Sequence, residues 1–115
     1  MTTVRQDFAM TAGDDEIITF CVVGPGDVPL DISAVSNIEW SAYFDANNRL
    51  LKTLDDGDIE IVDGPQGRFA ITLAGADTAP WTGLFPHQAV LIDDTGKRAT
   101  IADGTMTLLP RVVPL

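Results

Sequence analysis

The sequence predicts an all-β protein, a small antiparallel β-sandwich of about seven or eight strands. Three observations carry that expectation. Turn-forming pairs recur at short intervals, among them Gly13-Asp14, Gly24-Pro25-Gly26, Asn47-Asn48, Asp56-Gly57, Gly64-Pro65, Thr95-Gly96 and Asp103-Gly104. Between them lie runs rich in Ile, Val, Thr, Phe and Trp, of the length and spacing of strands in a sandwich or barrel. No segment sustains a helical period, and no internal repeat or low-complexity tract is present.

Taken in order, the strands are expected at 4–10, 16–23, 37–45, 49–54, 58–63, 68–74, 85–93 and 97–109. Two runs alternate cleanly. In NIEWSAYFD, Ile38, Trp40, Ala42 and Phe44 share one face and Glu39, Ser41, Tyr43 and Asp45 the other. In RFAITLA, Phe69, Ile71 and Leu73 oppose Arg68, Ala70 and Thr72. These two strands are expected to supply much of the core, with Trp40 and Phe69 as its largest members. Ala46-Asn47-Asn48 reads as a hairpin turn made possible by the tolerance of Asn for positive φ, and Asp94-Thr95-Gly96 reads as a second. Gly104 reads as a bulge or bend inside the last strand.

The stretch LAGADTAPWTGLF, residues 73–85, reads as a corner between strands. Gly75 to Thr82 would cross the end of the sandwich as a short helical turn, capped by Asp77 and restricted by Pro80, and Gly83 would release the chain into the next strand. A single domain over residues 1–109 follows, with LPRVVPL ending in an extended arm at 110–115 because its two prolines cannot donate to a ladder.

The chain has 115 residues, enough for one core and too few for two. Its formal net charge of −10 makes phosphate-rich surfaces poor partners, so neither nucleic acid nor an anionic membrane is expected, whereas a cationic protein surface would be attracted. The N-terminal stretch MTTVRQDFAMTAGDDE lacks the apolar run of a signal peptide. No segment approaches the roughly 20 apolar residues of a membrane span. Cys21 is the single cysteine, so an intrachain disulfide is impossible; its place in IITFCVV reads as that of a small buried hydrophobe.

Catalytic chemistry finds little support. Asp55-Asp56-Gly57-Asp58 is the densest acidic cluster, but it lacks the Glu that closes a calcium loop and reads as a turn with solvated acids. The single histidine, His87, lies on an alternating run and reads as a hydrogen-bonded structural residue. No phosphate loop, nucleophile elbow, His-Glu-x-x-His or Cys-x-x-Cys occurs. No catalytic, metal-binding or cofactor-binding residue is therefore expected. Among the aromatics, Trp40 and Phe44 read as core, while Trp81, in a turn after Pro80, reads either as a cap on the core or as an exposed contact.

One stretch has a family likeness. Gly67-Arg68-Phe69 through Leu73, the Asp77-Thr78-Ala79 corner, Gly83 and Phe85, the hairpin Asp93 to Lys97, and the closing run Gly104 to Leu108 follow one another in a fixed order. Pro29-Leu30-Asp31-Ile32, then Ile38 and Trp40, precede them. Over roughly residues 17–110 this order resembles a family of small bacteriophage virion proteins with an immunoglobulin-like β-sandwich. The resemblance implies a non-enzymatic structural subunit of a tailed-phage particle, as capsid decoration, head-to-tail joining or tail accessory protein. It would be present in several copies and docked on other virion proteins. Its candidate interface residues are Trp81 and, on the C-terminal arm, Arg111, Val112, Val113 and Leu115. A host-surface carbohydrate-binding module using Trp81 is the alternative, and a hydrolase using scattered acids a distant third. Pro86-His87 departs from the family pattern and marks an expected edge strand or bulge. The LPRVVPL tail has no counterpart in the family.

Overall fold

A computed structural model of the chain describes residues 3–114, and its elements are strands joined by short turns. They run β1 (Val4–Arg5), β2 (Phe8–Thr11), β3 (Glu16–Cys21), β4 (Asn37–Asp45), β5 (Asn48–Thr53), β6 (Ile59–Asp63), β7 (Arg68–Leu73), α1 (Gly75–Thr78), β8 (Gly83–Ile92) and β9 (Arg98–Leu109), with a 3-10 turn at Pro25–Asp27. Two sheets face each other. The larger has the order β1-β9-β8-β4-β5, with β2 also on β9, and the smaller is β3-β7-β6. The all-β sandwich expected from the turn spacing is the fold. Its strands number nine because the first expected strand is divided at Gln6-Asp7, and β1 and β2 both run parallel to β9 while the other pairings are antiparallel.

The core follows the alternation read from β4 and β7. Ile38, Trp40 and Ala42 are buried, as are Phe69, Ile71 and Leu73 from the opposing sheet. Phe20 and Val22 from the β3 side, Leu91 from β8, and Ile101, Met106 and Leu108 from β9 complete it. Burial of side chains of this size stabilises by about 1.5–3 kcal/mol each, so these inward positions decide the register of both sheets. The long connection between β3 and β4 contributes as well: Ile32 is buried, and its N–H donates to the Gly64 carbonyl. The connection can lie this close to the β6–β7 turn because Gly67 has no side chain. A Cβ there would stand 2.5 Å from the Val22 oxygen and 2.6 Å from that of Leu30.

Several local expectations are corrected. Cys21 is exposed, because the inward parity of its strand falls on Ile18, Phe20 and Val22. The β4–β5 turn uses no left-handed Asn. Instead the Asp45 carboxylate accepts from Asn47 N at 2.8 Å and Asn48 Nδ2 at 2.9 Å, a side-chain closure that leaves both Asn at negative φ. Pro86 is not on an edge strand, since β8 lies between β9 and β4. It stands just beyond Ala42↔His87, the last pair of the β4–β8 ladder, where β4 requires no further N–H. The bulge in β9 sits opposite Ala89/Val90, not at Gly104. Gly104 has a different reason for lacking a side chain: an added Cβ would meet the Gln6 carbonyl oxygen at 2.2 Å.

The corner at residues 74–82 is built as the sequence implies, with α1 as its helical turn. The Asp77 carboxylate accepts from Ala74 N at 2.8 Å, closing the first turn. Thr78 is buried, and its Oγ1 accepts from Gly13 N at 3.0 Å; Asp15 Oδ1 accepts from Gly75 N at 2.8 Å. Lys52 of β5 reaches Asp77 at 2.9 Å, tying α1 to the larger sheet through a largely buried ion pair.

Candidate functional site

The corner and the C-terminal arm come together at one end of the sandwich. Trp81 stacks on Phe44 with ring centroids 4.7 Å apart at 9°, and both meet the edge of Phe85. It is half-buried against the core, so the stacking accounts for its apolar surface. Its neighbours Ala79 and Thr82 border a shallow groove of about 420 Å³, whose other wall is Ala12 and the arm from Pro110 to Pro114.

Arg111 fixes the root of that arm. Its Nε donates to the Ala12 carbonyl at 3.2 Å, and its guanidinium pairs with the Asp14 carboxylate. Val112 and Val113 follow without cover, 93% and 68% exposed. Of the sequence-derived candidates, Arg111 is thus held by its own domain and the two valines face outward. Leu115 lies outside the described residues.

His87 organises a second region. It is buried, and it projects from β8 between Phe8, Phe20 and Trp40. Trp40 Nε1–H donates to His87 Nδ1 at 3.1 Å, so the ring proton sits on Nε2, which donates to the Gln6 carbonyl at 2.6 Å. Burial pushes the imidazole below its ordinary pKa, against the pull of the Gln6 carbonyl and of Asp7 and Asp103. Around this node Gln6 N donates to the Asp103 carbonyl, and Gln6 Nε2 crosses to Thr19 O at 3.1 Å in the other sheet. Asp7 Oδ1 accepts from Thr105 N at 2.8 Å, which holds its carboxyl below the usual range. These bonds explain the break between β1 and β2: the backbone at Gln6 serves a histidine and a side chain serves the ladder. Both His87 nitrogens are occupied by protein partners inside the core, an arrangement that joins the two sheets and the N-terminal strands.

A third feature was not legible in the sequence. The outward side chains of the larger sheet surround a shallow depression of about 590 Å³, with Ser41 and Tyr43 on β4, Arg49 on β5, Gln88 on β8, Asp103 on β9 and Arg5 on β1. The alternation of NIEWSAYFD placed Ser41 and Tyr43 on one face, but the other four arrive by strand pairings between distant segments.

The acidic clusters serve turns. Asp93 Oδ1 accepts from Thr95 N, Thr95 Oγ1 and Lys97 N at 2.7–3.0 Å, and the Thr95 bonds foremost lower its pKa. In Asp55-Asp56-Gly57-Asp58, backbone N–H groups bond to Asn37, Thr53 and Leu54, and Gly57 takes φ 83°. Among the described residues no group of three or more His, Cys, Asp or Glu side chains is arranged to hold a metal ion, and no helix is long and apolar enough to cross a membrane. In comparisons with family models and with curated proteins, the chain has no match in either.

Proposed function

We propose that the chain is a non-enzymatic structural subunit of a tailed bacteriophage particle, docked in several copies on other virion proteins. The observation that carries this reading is the ordered run from Gly67 to Leu108, whose parts occupy consecutive elements, β7, α1, β8 and β9. The acidic surface would steer the subunit toward a basic capsid or tail surface, and Val112 and Val113, projecting beyond the Arg111 anchor, would insert into the partner. Decoration, head-to-tail joining and tail attachment are equally served by such a surface.

Quantitative mass spectrometry of purified particles tests the reading. A fixed stoichiometric ratio to the major capsid or tail protein is expected; absence from the particle ends the proposal. Removing residues 110–115 should leave a folded domain and reduce its incorporation, while full incorporation of the truncated chain would exclude the arm as an anchor. The carbohydrate-binding alternative loses its first support, because Trp81 is stacked between Phe44 and Phe85 rather than free on the surface. A different observation favours it, the depression on the outer face of the larger sheet.

A further inference from the structure

We propose that this depression is a binding site for a neutral, polyhydroxylated saccharide, independent of the Trp81 corner and of the particle in which the chain would reside. Its volume of about 590 Å³ admits two or three sugar rings without enclosing them. Five strands each supply at least one wall residue, so the site rests on the hydrogen-bonded sheet rather than on loops.

The lining has the chemistry that sugars require. Tyr43, 41% exposed, and the neighbouring Pro86 offer apolar surface for the C–H face of a pyranose. Arg49 lies over the Tyr43 ring, 5.7 Å from its centroid, which restrains the guanidinium before a ligand arrives. Arg5 and Gln88 present planar arrays of donors, and Gln88 and Asp103 present acceptors, spacings that match adjacent hydroxyl groups.

Ser41 adds an independent sign. Its hydroxyl oxygen is buried in the lining and has no hydrogen-bond partner. Buried polar atoms are nearly always paired, and an unpaired one in the wall of a depression calls for a partner from outside the chain. A ligand hydroxyl supplies both a donor and an acceptor to it.

Charge selects the ligand class. The two arginines stand beside Asp103, and Arg5 also meets Asp7 at 3.3 Å, so the site is close to neutral on a molecule of net charge −10. Sulfated, phosphorylated or sialylated ligands meet the repulsion of the whole chain, and a cation finds two arginines. A neutral sugar meets neither.

The test is an NMR titration of the full-length ¹⁵N-labelled chain with maltotriose, cellotriose and triacetylchitotriose, each to about 10 mM, the range in which a shallow site of this kind saturates. At least one should shift the amides of Ser41, Tyr43, Arg49, Gln88 and Thr105 in a saturable manner while the Trp81 amide stays fixed. Tyr43→Ala and Arg49→Ala should each weaken that binding by about fivefold or more at unchanged melting temperature. Ser41→Ala should weaken it without lowering the melting temperature, an outcome a purely structural serine would not give. No shift with any of the three sugars, shifts centred on Trp81, or tighter binding of sialyllactose would each overturn the proposal.

Discussion

Acidification should destabilise this protein through His87 before its carboxylates take part. The folded chain holds the imidazole neutral: Nδ1 accepts from Trp40, Nε2–H donates to Gln6, and burial depresses the pKa below its ordinary 6.5. Adding a proton places an N–H at Nδ1 against the Trp40 N–H, so one bond must break. The charged groups facing the ring are Asp7 and Asp103, which favour its protonation, and Arg5, which opposes it. A folded pKa below the unfolded one means that the unfolded chain binds more protons, so stability rises with pH. The contribution is fully present above about pH 6.5 and is lost as pH falls from there toward the folded pKa, at a limiting slope of about 1.4 kcal/mol per pH unit for one proton. Urea denaturation of the wild type and His87→Gln from pH 8 to pH 5 measures it. The stability gap between them should shrink with acidification, because the variant lacks the titrating group. Parallel profiles, or a wild type that gains stability toward pH 5 relative to the variant, would refute the assignment of a neutral, doubly bonded His87.

Other perturbations separate the parts of the fold. Trp40→Ala removes the largest buried side chain and the donor to His87, and should cost about 3–5 kcal/mol in chemical denaturation; a near-wild-type midpoint would remove Trp40 from the core. Gly104→Ala should displace the Gln6 backbone, so that amide exchange of residues 4–11 accelerates while the β4 and β7 amides stay protected. Uniform exchange behaviour would show that β1 and β2 do not depend on that close approach. Lys52→Met leaves Asp77 largely buried without its cation and should cost about 1–3 kcal/mol, restrained by the bond Asp77 keeps with Ala74 N–H; a loss below a few tenths would mean that the pair is solvated.

The sequence by itself determined what depends on near neighbours along the chain. Alternation at Ile38, Trp40 and Ala42 fixes a half-buried strand because successive side chains of an extended backbone point to opposite faces, and the same rule applied to β7. The turns at Asp93 to Lys97 and the corner at Gly75 to Thr78 follow from carboxylates and glycines acting on backbone a few residues away. Where local signals were weaker, parity decided against them, as at Cys21, whose apolar neighbours concealed that it faces outward. What only the tertiary structure decided is the order in which strands pair. That order sets Gln6 beside His87 and Gly104, turns β1 and β2 parallel to β9, makes Pro86 part of a central strand, and gathers Arg5, Ser41, Tyr43, Arg49, Gln88 and Asp103 around one depression. These residues lie tens of positions apart, and the hydrophobic pattern that buries one face of each strand carries no mark of which strand will lie beside it.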